Sequence, residues 1–413
     1  MTSEEKGVSR RGFMAGAGIA ALGTMMVAAG SSAAEETTGT AAPSPAIPQG
    51  AKVATRPFGR TGRNVSILSM GGMYDIPNNQ MMLRKCLDWG VTYWDTANGY
   101  GGGKSEEGIG MFFEKFPQER KNVFLVTKTG ARDAKGMTDH LELSLKRMKT
   151  DYVDLIFAHG INGINEVGGP EIKAWAEKAK KDGKIKFFGF STHKNMEDLL
   201  AAAPALGYID GIMLTYNYRI MHGDAMKRGV EACTKAGIGL TAMKTQGGGP
   251  VSTASEEEIK LAGRFLQKGM TPHQAKLKAI WENEQIAAVC SQMPNLTILT
   301  ANTSAALSSN KLTAGDWRAL KSYAEATSSS YCAGCAKFCE AGDGCDALIA
   351  DVMRFMMYHT SYGDTHHARQ CFAEMPEMAR ESLRRLDWER IARACPRGLP
   401  MGDVVREALK ALA

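Results

Sequence analysis

Trp94-Asp95-Thr96-Ala97-Asn98-Gly99-Tyr100-Gly101 closes a short run of bulky and β-branched residues with a carboxylate, then breaks into turn residues. A run of that kind favours a strand, and the Asn-Gly pair behind it punctuates the strand. An amphipathic stretch, 106–116, comes next. The same alternation extends in both directions. Strands are expected at 65–70, 93–96, 123–128, 153–159, 185–191, 211–217, 238–244 and 286–290. Amphipathic helices are expected at 79–89, 106–116, 138–148, 171–181, 196–203, 224–235 and 256–268. Strands and helices alternating over about 250 residues suit an α/β fold of the (β/α)8 TIM-barrel type better than an open doubly wound sheet.

On such a barrel, polar residues at the C-terminal ends of strands gather at one mouth. The second run ends in Asp95 and leads to Tyr100. The third ends in Thr127-Lys128-Thr129, and the fourth in Phe157-Ala158-His159-Gly160. Singly, each has a plain structural explanation: a helix-capping Asp, a solvated Lys, a core His. As a set in strand order they resemble the catalytic tetrad of the aldo-keto reductase superfamily, and the resemblance covers roughly residues 56–305.

The chemistry accounts for these residue types. Carbonyl reduction needs a hydride on carbon and a proton on oxygen. A free tyrosine titrates near pH 10. Lys128 is expected to lower that value by stabilising phenolate, with Asp95 holding Lys128 charged and oriented. Tyr100 then donates or accepts the proton, and His159 hydrogen-bonds the carbonyl oxygen.

The resemblance further implies a nicotinamide cofactor, NADP or NAD, and a small carbonyl/alcohol substrate. Ser191 would bind the nicotinamide amide and Tyr216 would stack on its ring. Lys244, Thr245, Gly247 and Gly248 would face the pyrophosphate, where glycines let the backbone approach. Ser291 and Asn302 fall where the adenosine end sits. Between Ser291 and Asn310 there is no Lys or Arg to pair with a 2′-phosphate, which leaves the choice between NADPH and NADH open.

The 413 residues carry 50 Lys and Arg against 44 Asp and Glu, and 44% are hydrophobic. That balance excludes a wholly disordered, collagen-like or polytopic membrane chain. A net charge of +6 with no basic block gives no nucleic-acid surface. Residues 1–34 read as a signal: Ser9-Arg10-Arg11-Gly12-Phe13 precedes an apolar Ala/Gly/Met run and small residues. The Arg pair resembles a twin-arginine export signal, which places the mature chain in the periplasm and involves the membrane only through the export machinery. A membrane anchor is the alternative, although the run of about 17 residues falls short of the roughly 20 needed to span. Residues 35–55 read as a flexible linker and 56–312 as the barrel.

Six of the nine cysteines fall after residue 330. The clustering marks 313–413 as a specialised C-terminal domain. Cys332-x2-Cys335-x3-Cys339 is a tight thiol cluster, and Cys395-Pro396 follows far downstream. In two-cluster bacterial ferredoxins, a Cys-Pro thiolate completes the cluster of the opposite motif. Here Arg385, Trp388 and Ile391 stand where the second motif's first three cysteines would be. The domain, mainly helical in pattern, thus resembles the ferredoxin-like tails appended to some aldo-keto reductases. That resemblance implies one [4Fe–4S] cluster on Cys332, Cys335, Cys339 and Cys395, with Cys345 as the rival fourth ligand. A four-cysteine zinc site and, in an exported chain, disulfides are the alternatives. Cys86, Cys233 and Cys290 are expected to be core thiols, and His366-His367 to lie on a solvated helix.

The expected activity is hydride transfer with Tyr100 as proton donor or acceptor, with an electron-transfer partner for the cluster as a further expectation. The rival is a non-catalytic binding or electron-relay protein that uses the barrel as scaffold.

Overall fold

The computed structural model describes residues 47–248, 256–340 and 347–413. The expected export signal, the start of the linker and Cys345 lie outside them. Within the span expected as linker, Val53 is buried and its amide donates to Trp89 O at 2.8 Å.

Ten strands form. β1 (Thr55–Pro57) and β2 (Asn64–Ser66) make an antiparallel pair. β3 (Leu68–Gly71), β4 (Tyr93–Asp95), β5 (Phe124–Thr129), β6 (Val153–Ala158), β7 (Ile185–Thr192), β8 (Gly211–Thr215), β9 (Gly239–Met243) and β10 (Ala288–Gln292) follow in chain order. These eight close into a parallel barrel, with β10 pairing back on β3. The expected α/β barrel is therefore present. One expected strand, 65–70, is two. The chain bends at Ser66, whose hydroxyl donates to Leu68 O and accepts from the amides of Thr92 and Tyr93. That one side chain satisfies the backbone groups the bend leaves outside a ladder.

The β1–β2 hairpin closes the N-terminal end of the barrel. Phe58 is fully buried and packs on Tyr93 and Phe124, with ring centroids 6.2 and 5.5 Å away. A Cβ on Gly239, the first residue of β9, would stand 2.5 Å from the Phe58 ring, so the plug needs glycine there.

Helices cover the outside. Pro272–Trp281 was not expected: Gln274 through Trp281 are all buried, so no polar stripe betrays a period of 3.6. Thr271 and Gln274 start it with a capping box. Ala314–Ala326, assigned from sequence to the tail, instead buries Leu320 and Tyr323 in the barrel's core. The second core begins at Ala347 and joins Val352, Phe355, Phe372, Leu383, Ile391 and Val405. Its elements are all helical among the described residues, the longest being Ile349–Tyr362. No described helix is long and apolar enough to cross a membrane.

Candidate active site

Inward and outward side chains alternate along a barrel strand, so a buried inner residue fixes which neighbours reach the mouth. Tyr93, Val126 and Phe157 belong to the inner core. Two residues on from each stand Asp95, Lys128 and His159. Tyr100 comes from the turn after β4. Gly101, Gly102 and Gly103 have φ of 59°, 66° and 102°, a left-handed path that returns the chain into the helix Lys104–Lys115. A Cβ on Gly103 would lie 2.3 Å from the Arg147 guanidinium, which fixes the turn by donating to Asn98 O at 2.9 Å.

These four residues meet. Lys128 Nζ donates to Asp95 Oδ2 at 2.6 Å, to Thr96 O at 2.7 Å and to the Tyr100 hydroxyl at 3.2 Å. The rings of Tyr100 and His159 pack edge-to-face, with centroids 5.7 Å apart. Burial opposes the charge on Lys128, but Asp95 and then Tyr100 hold it above its ordinary value. Burial pushes the Tyr100 phenol up to about 12, against the pull of Lys128. The expectation that Lys128 brings the phenol below its free value is thus corrected. Desolvation outweighs the ammonium, and the hydroxyl stays protonated at neutral pH. Burial, with the charges of Lys128, Arg132 and Arg354, brings His159 down to about 3, so its imidazole is neutral.

Cys290 also belongs here, not to the outer core. It shares the inner face of β10 with Ala288 and lies against Asp95, and burial raises its thiol.

The expected cofactor positions divide. Ser191 is buried on the inner face, and its Oγ accepts from the Gly160 amide at 2.9 Å. Tyr216 is not at a stacking position. It shares parity with Ile212 and Leu214, packs in the outer core, and its hydroxyl accepts from Asn283 at 2.8 Å. Thr215 takes the inward place instead, 3.1 Å from His193 Nδ1. Ser291 and Asn302 do come together, at 3.0 Å. Thr245 is buried.

Lys244, Gly247 and Gly248 have φ of 55°, 71° and 60°, and the two glycines take the left-handed conformation of a backbone cradle. The tail leans on this loop. Lys244 Nζ sits 4.4 Å from the Tyr358 ring, and the Gly248 backbone hydrogen-bonds the Tyr362 hydroxyl. A Cβ on Gly248 would meet the Tyr331 ring at 3.0 Å. Sequence reasoning missed Lys194 and Arg354, which join barrel and tail at the mouth. Their common partner, Asp351, is 157 positions from Lys194, and no local signal links such residues.

Cys332, Cys335, Cys339 and Cys395 line one small cleft with Phe338, Pro396 and Leu399. All four thiols are free. Among the described residues no three Cys, His, Asp or Glu side chains converge on a point that would hold a single metal ion. His367 is not solvated as expected: its ring packs on Tyr358, and Cys371 Sγ lies 3.5 Å from its Nε2.

The model of the Aldo/keto reductase family matches residues 69–300. An uncharacterized oxidoreductase of Bacillus subtilis, YrpG, is 29% identical over 217 residues, which are 46% of this chain and 66% of that protein. The L-glyceraldehyde 3-phosphate reductase of Escherichia coli K12 is 28% identical over 154 residues, 33% of this chain and 44% of its own length. The matches to these curated relatives thus span less than two thirds of their length. Among solved structures, the thermostable aldo-keto reductase Tm1743 superposes with a TM-score of 0.55 at 25% identity, over 65% of this chain and 99% of that one.

Proposed function

The chain belongs to the aldo/keto reductase family, and from that premise we propose that it transfers hydride between a nicotinamide dinucleotide and the carbonyl or alcohol carbon of a small molecule. The observation that carries this reading is the Lys128 ammonium, 2.6 Å from Asp95 and 3.2 Å from the Tyr100 hydroxyl. The left-handed Gly247-Gly248 turn and the buried Ser191 hydroxyl fit a dinucleotide. When bound, the nicotinamide supplies or takes the hydride.

The chain's own residues do the rest. In reduction the protonated Tyr100 hydroxyl gives its proton to the carbonyl oxygen as negative charge develops there. Lys128, kept cationic by Asp95, stabilises the phenolate that remains. The neutral His159 imidazole donates a hydrogen bond to the same oxygen and orients the carbonyl. In oxidation the phenolate takes the alcohol proton. Tyr100→Phe tests the assignment: turnover of aldehydes with NADPH or NADH falls by about 10²–10⁴-fold, while dinucleotide binding persists. Unchanged turnover would transfer support to the scaffold reading.

We infer also that Cys332, Cys335, Cys339 and Cys395 hold one [4Fe–4S] cluster. The support is that four free thiols from two chain segments line one cleft, in the residue types such a cluster takes. Iron and zinc analysis of anaerobically prepared protein tests this, with about four iron per chain as the expected result. Export through the twin-arginine route rests on Arg10-Arg11 and the apolar run behind them. Fusion of residues 1–34 to a reporter that folds in the cytoplasm, and its appearance in the periplasm, is the check.

A further inference from the structure

Between Tyr331 and Glu340 the chain alternates two duties. Cys332, Cys335 and Cys339 face the thiol cleft. Tyr331, Gly334, Lys337 and Glu340, each next to or two places from a cysteine, hold the barrel mouth. The Tyr331 hydroxyl accepts from Asn217 at 2.8 Å, behind β8. Gly334 O accepts from the Asn195 amide at 2.8 Å, and a Cβ there would strike His193 O at 2.3 Å. The Lys337 amide donates to Asn195 Oδ1 at 3.0 Å. Glu340 pairs at 3.3 Å with Lys194, a side chain only 3% exposed that also meets Asp351 at 2.5 Å. Asn195 and Lys194 directly follow His193, and Tyr331 also covers Gly248 of the cradle.

We propose that this segment is a clasp. Binding of the metal centre by the cysteines and seating of the tail on the mouth are one event, which retains a bound dinucleotide. The inference rests on the dinucleotide and cluster readings above, and goes beyond them in giving the centre a mechanical task. The cradle contacts support the covering of the mouth: with the tail seated, Lys244 lies on Tyr358 and the Gly248 backbone on Tyr362, so the tail stands over the loop that would face a dinucleotide. For a chain bound for a compartment with little free NAD(P)H, retention is what keeps the barrel supplied.

The test uses the full chain with its iron, loaded with NADPH and chased with excess NADP+, and follows release of bound NADPH by its fluorescence. Release is slow in the loaded protein and speeds up about tenfold or more after chelation of the iron, or in Lys194→Met, which removes the cation that Glu340 and Asp351 share and leaves Asp351 to Arg354 alone. Lys194→Met and Tyr331→Phe keep the iron content, which separates the clasp from the metal site itself. Equal release rates with and without iron overturn the proposal. Protein that lacks iron or any other metal on these cysteines overturns the cluster reading and the clasp together. If no form binds NADPH, the dinucleotide reading fails, and amide hydrogen exchange decides the clasp. Residues 191–195 and 245–248 lose protection on iron removal if it holds, and unchanged protection sinks it.

Discussion

The Tyr100 hydroxyl takes its hydrogen bond from Lys128 at 3.2 Å, while the same ammonium is held by Asp95 at 2.6 Å. The shorter contact anchors and the longer one acts. Lys128→Met removes the cation and leaves Asp95 buried without it. Turnover is expected to fall by about 10²-fold or more, since the phenolate loses its counter-charge. NADPH titration of the variant separates this from lost binding.

The pH profile follows from two displaced groups. Burial holds Tyr100 at about 12, so the proton donor is present through the neutral range and is lost only as pH climbs toward that value. Burial and neighbouring cations hold His159 at about 3, so it stays neutral to low pH. The kcat/KM for reduction is therefore flat from about pH 5 to 9, with no break near 6.5 where a free histidine titrates. A break there would show His159 reaching solvent.

Stability carries the opposite signature. Burial lowers His159 to about 3, His273 to about 4, and His193 well below its ordinary value. Below about pH 6.5 the unfolded chain binds protons that the folded chain refuses, so stability drops as pH falls from there toward 4. Urea midpoints at descending pH check this, with His273→Gln expected to flatten the fall.

Phe58 supports the barrel from the end opposite the site. Phe58→Ala is expected to cost about 3–5 kcal/mol, because Tyr93, Phe124 and Gly239 cannot all close the hole. Denaturant unfolding gives the loss, and NADPH affinity should be unchanged.

Cys395 comes from a different segment than its three companions. Cys395→Ser is expected to lose the iron and to lower the melting temperature, whereas Cys345→Ser keeps most of it. Iron content of the two variants reports which cysteine is the fourth ligand.

Much of this was legible in the sequence because barrel strands signal their ends. A polar residue two places after a buried one sits at the mouth, and Asp95, Lys128 and His159 each obey that spacing. Where reading failed, the cause was a single step or a missing contrast. Tyr216 is one residue from Thr215, and on a strand one residue exchanges the faces. Cys290 looked like any core thiol until parity with Ala288 turned it inward. The helix Pro272–Trp281 shows no polar side because it has none to show. The seat of the tail had no sequence signal at all, since Lys194 and Asp351 find each other only after both units fold.

Lys194 sets a limit on dissection. Its ammonium is shut away from water and owes its neutral surroundings to carboxylates that arrive with the last hundred residues. A protein cut short after the barrel would leave that cation without either carboxylate, and so would not be a minimal version of this catalyst but a damaged one.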